Sequence, residues 1–223
     1  MNLVSKHSSA IRLSSFMLVS VLTASPTLAV DMAPFEFRGA RLGMTIEEFE
    51  ALPELGAMRL SEYNQRGRKV RENLLTLCVQ TNDKVNAQIG ITDCTRAGDD
   101  PFTAQKYKYV YTSIGYKFGP DVNNKKRLFS ILVITNRDNY AEAVSALRAK
   151  WGNGRIESST ATNGFGQPLP KSTEKWRKLN QVIELENLCG DVKTICITYS
   201  DDSLLNALST RRATITGGAA SRF

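Results

Sequence analysis

Residues 128–135 read Leu-Phe-Ser-Ile-Leu-Val-Ile-Thr, an almost unbroken apolar run rich in β-branched and aromatic side chains. No other segment carries as strong a β signal, and a run of this length and composition suits a central strand. The rest of the chain must therefore supply flanking strands and a cover for them. Turn chemistry stands just before it, at Gly119-Pro120-Asp121 and Asn123-Asn124.

Further strand-like stretches surround this run. Residues 35–38 alternate apolar and polar, residues 74–79 are apolar, and residues 85–92 (VNAQIGIT) alternate again. Tyr107 and Tyr109 alternate with Lys106 and Lys108 and, with Tyr111, lead towards Tyr116 and Phe118. Later come residues 156–162, 174–179 with Trp176, 181–186 (QVIELE) and 193–199 (KTICITY), with the Gly/Pro loop 164–171 among them. Helical signals are fewer. Thr45 with Glu48 forms a capping box, in which each side chain satisfies the other's free backbone N–H, and Ile46, Phe49 and Leu52 share one face. Asn139 with Glu142 resembles a second such entry, followed by Tyr140, Val144, Leu147 and Trp151 on one face and closed by Gly152 and Gly154. Asp201 or Asp202 caps a last helix bearing Leu204, Leu205 and Leu208. The tail 214–223 is rich in small residues and is expected to be mobile.

The pattern of a short helix followed by antiparallel strands thus occurs twice. The expected class is α+β, in two tandem units over residues 30–136 and 137–223, each a short helix packed on an antiparallel sheet, with a shared sheet as one way of joining them.

The amino-terminal residues have the three parts of an export signal. Lys6 and Arg12 are basic, residues 13–24 are apolar, and residues 27–29 (TLA) form a small-residue exit. An apolar stretch of about a dozen residues is short of the roughly 20 that cross a bilayer as a helix. The reading is a signal peptide over residues 1–29, cleaved after Ala29, with no transmembrane anchor left. The processed chain is then periplasmic or secreted. It holds 27 basic against 22 acidic residues, a balance of +5, too modest to argue for nucleic acid.

Export explains the cysteines. Cys78, Cys94, Cys189 and Cys196 are an even set in an oxidising compartment, which points to disulfides, with the local pairs Cys78–Cys94 and Cys189–Cys196 favoured among three connectivities. The single histidine, His7, lies in the signal. The processed chain accordingly lacks the residue on which Ser-His-Asp and Cys-His hydrolysis and His-ligated zinc depend. No cofactor or metal site is expected.

Leu42-Gly43-Met44-Thr45 with Glu48, Lys150-Trp151-Gly152, Trp176, Ile183 with Leu185, and Cys196 with Tyr199 and Asp201 together resemble the small exported helix-plus-sheet modules of β-lactamase inhibitory protein and the outer-membrane assembly lipoprotein BamE. The resemblance implies a curved sheet carrying a short helix, with the sheet or its loops contacting another protein. It transfers no functional residue.

Four local features invite chemistry. Ser172 and Lys175 have S-x-x-K spacing, but the chemistry needs a helix where a strand is expected. Asp93, Asp99 and Asp100 lack the alternation of a calcium loop and read as a turn. Arg66, Arg68, Lys69 and Arg71, with Lys125, Lys126 and Arg127, form two basic groups suited to anionic lipid, cell-wall polymer or an acidic partner, or simply to solvated edges. Tyr107, Tyr109 and Tyr111 point one way from a strand and either pack in the core, which alternation with Lys106 and Lys108 favours, or, with Trp176, make the candidate binding face. The functional expectation is a non-enzymatic exported module that binds another protein or an envelope component. The alternatives are a His-free envelope hydrolase built on carboxylates such as Glu184 or Glu186, and an inhibitor of a secreted enzyme using a protruding loop at 163–172.

Overall fold

In the computed structural model, which describes residues 33–55, 60–63, 67–98 and 112–220, the run at 128–135 is an inner strand of an eight-stranded antiparallel sheet. The elements in chain order begin with a small hairpin, β1 (Glu36–Phe37) and β2 (Ala40–Arg41), and α1 (Ile46–Glu50). Next come β3 (Leu60–Tyr63), β4 (Lys69–Leu74), β5 (Thr76–Gln80), α2 (Lys84–Gln88), β6 (Thr92–Arg96), β7 (Ser113–Pro120) and β8 (Lys126–Asn136). The second half has α3 (Tyr140–Trp151), β9 (Arg155–Thr162), β10 (Pro168–Lys178), β11 (Gln181–Glu186), β12 (Thr194–Asp201) and α4 (Asp202–Ala220). The large sheet has the order β5-β6-β7-β8-β12-β11-β10-β9, while β3 and β4 pair separately. The fold is α+β.

Period two fixes what each face of the sheet presents. Following the register from strand to strand, Cys78, Cys94, Tyr116, Ile131, Tyr199, Ile183 and Trp176 form one continuous row. Val133, Ile197, Leu185 and Glu174 form the next. This face carries the main core, covered by α1, α3 and the β1–β2 hairpin. Phe49 of α1 lies against Tyr116 and Phe118, with ring centroids 4.6 and 5.4 Å away. Phe35 meets Trp151 of α3 edge-on at 4.9 Å. The other face carries Ser130, Thr198, Ser200, Glu184 and Lys175. At one end α4 lies on it, where Leu208 joins Ile89, Ile91 and Phe129 in a second, smaller cluster.

Local chemistry explains the element ends. The Thr45 capping box is formed in full, with Thr45 N–H donating to Glu48 Oε2 at 2.7 Å and Glu48 N–H to Thr45 Oγ1 at 3.2 Å. Helix α3 presents Ala143 and Leu147 to the core and ends at Gly152, whose φ of +77° suits glycine. Both favoured disulfides are present. Cys78 and Cys94 are directly opposed on β5 and β6, and Cys189 joins Cys196 across a loop.

Three expectations are corrected. Residues 85–88 are helical, because Asp83 caps a single turn by accepting from Asn86 N–H at 2.7 Å. Asn139 does not cap α3. Its amide donates to Thr135 Oγ1 at 2.8 Å, and Asn136 caps the 3-10 turn that leads into the helix. The loop at 164–171 is shorter than expected, since β10 begins at Pro168. Helix α4 also runs through residues 214–220 of the expected tail. There Thr214 and Thr216 hydroxyls donate to the carbonyls of Thr210 and Arg212 one turn back.

Candidate functional site

Strands β9 and β10 pair without interruption from Arg155↔Lys175 out to Thr162↔Pro168 and project as a hairpin. Its tip, residues 163–167, is organised by one asparagine. Asn163 Oδ1 accepts from the N–H groups of Phe165 and Gln167 at 3.0 and 2.9 Å, and its amide donates to Gln167 Oε1 at 3.0 Å. Backbone bonds from Asn163 N–H to Gln167 O and from Gly166 N–H to Asn163 O, both 3.0 Å, close the turn. Gly166 has φ +78°, a conformation few other residues adopt. The side chain presented by this fixed turn is Phe165, 92% exposed.

Facing the tip is the loop between β11 and β12, braced by the Cys189–Cys196 bond. Asp191 shapes it, accepting from Lys193 N–H at 3.1 Å, while Asp191 N–H donates to Cys189 O at 2.8 Å. Val192 is exposed on this loop and Leu188 is buried beneath it. A cleft of about 640 Å³ separates hairpin tip from loop, with Leu169 and Leu188 in its lining and Lys171 and Asp191 as its charged groups. Lys171 is ion-paired with Glu186. Asn187 fastens the two sides together, its Oδ1 accepting from Ser172 N–H at 2.8 Å and its N–H donating to Ser172 O at 3.1 Å.

The base of the same hairpin is anchored to α3. Glu174, 1% exposed, receives Arg148 Nε and Nη2 at 2.8 and 2.9 Å, and Gly154 N–H at 3.1 Å. Trp176 Nε1 donates to Gly152 O at 2.7 Å. Residues 152–154 lie so close over β10 that a Cβ at Gly154 meets Glu174 Cγ at 2.7 Å and Trp176 Cε2 at 2.9 Å.

The sequence-derived candidates fall in different places. Trp176 is 4% exposed and belongs to the core. It does not stand on an exposed face, because α3 and its closing glycines cover the side of β10 from which it projects. Tyr107, Tyr109 and Tyr111 lie outside the described residues, as do Asp99 and Asp100. Ser172 and Lys175 sit on a strand, three residues apart and so on opposite faces, and Lys175 is held by Glu157 and Glu184 at 2.9 and 3.0 Å. These bonds, Glu157 first, raise the Lys175 ammonium above its usual range and keep it charged. Asp93 pairs with Lys117 at 3.1 Å. In β4, Lys69 and Arg71 are matched by Glu72 and Glu62. Among the described residues no group of three or more His, Cys, Asp or Glu is placed to hold a metal ion, and no helix is long and apolar enough to cross a membrane.

The buried carboxylates are consumed by the fold. Glu174 is the α3 anchor. Asp201 caps α4, accepting from Ser203 and Leu204 N–H at 3.0 and 3.1 Å and from Asn180 Nδ2 at 2.9 Å. Neither lines the cleft beside Phe165.

The sequence offers loop 163–172 as the place for a protruding contact but does not single out Phe165 within it. The available signal was Asn163 followed by Gly-Phe-Gly, an asparagine-led turn with an aromatic residue between two glycines. No family model, curated protein or solved structure matches this chain.

Proposed function

We propose that this chain is an exported, non-enzymatic binding module whose β9–β10 hairpin tip and disulfide-braced loop grip another protein. The observation that carries the reading is Phe165. A side chain of this size, almost fully in water on a turn fixed by five hydrogen bonds, is a ready anchor for a partner that covers it. Because the turn is already ordered, a partner gains the burial of the ring without freezing the loop first. The cleft beside it gives a partner side chain a matching place to enter, which is how central aromatic contacts pair in interfaces.

Export is supported by the basic, apolar and small-residue segments at residues 6–29 and by the two disulfides of the folded part. The structural work done by Glu174 and Asp201 favours binding over carboxylate hydrolysis. The strand order also accommodates the tandem reading, since β5–β8 and β9–β12 are consecutive antiparallel runs, preceded by α1 and α3 and joined at β8 and β12. In this account each half is one helix-plus-sheet module of the kind seen in β-lactamase inhibitory protein and BamE.

The test is crosslinking capture of the processed chain from its native envelope, then binding of the captured protein to purified variants. Phe165→Ala should weaken that binding by about tenfold or more, as truncation of a central aromatic contact does, with the melting temperature unchanged. Undiminished binding to the Phe165→Ala variant refutes the hairpin as the contact.

A further inference from the structure

The strands of the large sheet have two ends. Asn136 and Thr194 mark the end beside the disulfide loop, whereas β8 starts at Lys126. At the Lys126 end, five cations gather from three elements: Lys84 on α2, Lys125 and Lys126 at the start of β8, and Arg211 and Arg212 on α4. None of the five is in an ion pair among the described residues. Three of them, Lys126, Arg211 and Arg212, are held by neutral oxygens instead. Arg211 donates to Asp121 O at 2.9 Å and to Asn124 Oδ1 at 3.2 Å. Arg212 donates to Asn86 Oδ1 at 2.6 Å, and Lys126 to Thr92 Oγ1. The nearby carboxylate of Asp121 is occupied by the N–H groups of Asn123 and Lys125 and by Arg127.

The same end is apolar. Two open grooves flank α4, of about 350 and 450 Å³, and share Ile89. One has Phe129 and Leu205 between Lys117 and Arg212. The other has Pro120 and Ile215 between Lys126 and Arg211. No carboxylate lines either groove. At the turn before β8, Val122 is 85% exposed, and Leu205 and Ile215 are exposed on α4.

We propose that this end docks on an anionic lipid surface. Headgroup phosphates take the five cations, and Val122 with the apolar groove walls enters the boundary between headgroups and acyl chains. Charge complementarity selects an anionic partner, and the apolar side chains interleaved with the cations select a bilayer among anionic partners. A soluble acid leaves Val122, Leu205 and Ile215 in water, whereas a bilayer interface accepts cation and apolar group together. Such docking leaves the Phe165 end of the molecule facing away from the membrane. It rests on different residues from the proposed protein contact and stands or falls separately.

Co-flotation of the processed chain with vesicles of phosphatidylglycerol and phosphatidylcholine, against phosphatidylcholine alone, tests this directly. The chain should float with the anionic vesicles only, and less so as salt is added. Free glycerol phosphate at headgroup concentration should not release it. The double change Lys125→Glu with Arg212→Glu should cut binding by about tenfold or more. Val122→Asp, at a position too exposed to matter for folding, should weaken it as well. Equal binding to neutral vesicles, full retention by the charge-reversed or Val122→Asp chain, or release by free glycerol phosphate overturns the proposal. Capture by a soluble polyanion without any flotation also overturns it, making the patch a site for an acidic polymer.

Discussion

Glu174 shows how a single residue positions the candidate site. It is buried on the core side of β10, and its charge is tolerated because Arg148 arrives with two nitrogens and Gly154 adds an N–H. Glu174→Gln keeps the shape but removes the charge that those donors answer. Loss of a buried hydrogen bond to a charged group costs about 2 kcal/mol, and the urea midpoint should fall accordingly. Gly154→Ala should destabilise by about 1–3 kcal/mol through crowding against Glu174 and Trp176, read by the same titration. Parity along β10 correctly puts Glu174 and Trp176 on one face. It cannot say which face a helix will cover. That depends on where α3 lands, so the sequence leaves Trp176 open between core and binding face and gives Glu174 no mark.

At the scale of elements, the turn between β7 and β8 ties three parts of the fold together. Asp121 bonds its own turn, Arg127 reaches from it to Gly43 O at 3.2 Å, and Arg211 of α4 bonds Asp121 O. The N–H of Lys125 above all, helped by that of Asn123 and the Arg127 guanidinium, holds the Asp121 carboxyl below its usual range against the opposing effect of desolvation. A lowered native value means that the ionised form favours folding. The contribution is complete above the ordinary aspartate value of about 3.9 and disappears as pH falls through the lower native one. Asp121→Asn should therefore be less stable than the parent at neutral pH, with the gap narrowing below about pH 4, as urea midpoints across that range would show. The disulfides belong to this scale too. In the chain-entropy account, opening Cys78–Cys94, which spans 16 residues, costs about 3 kcal/mol. Opening Cys189–Cys196, which spans 7, costs about 2 kcal/mol. Paired Cys→Ala variants compared by thermal melting should rank in that order. The sequence made both pairs legible through locality, and the Thr45 box through its spacing. It misled at residues 85–92, where alternation imitates a strand, because one capping aspartate outweighs a pattern only a few residues long.

Across the whole molecule, one antiparallel sheet separates two surfaces of different chemistry at its two ends. The Phe165 end presents one aromatic side chain on a turn fixed by hydrogen bonds, and the α4 end interleaves cations with apolar groups. The central strand could be read from the sequence because its apolar run is continuous. The pairing of β8 with β12 was not legible, since strands so distant in sequence meet through packing rather than through any local signal. Phe165 escaped notice for a related reason: an exposed aromatic differs from a buried one only in what surrounds it. The most direct test of the central claim is a photoreactive residue placed at position 165 of the chain expressed in its native cells, with Ser145 on the solvent side of α3 as the comparison site. The account predicts one discrete crosslinked protein from position 165 and none from 145. No product at 165, or the same product from both positions, would contradict it.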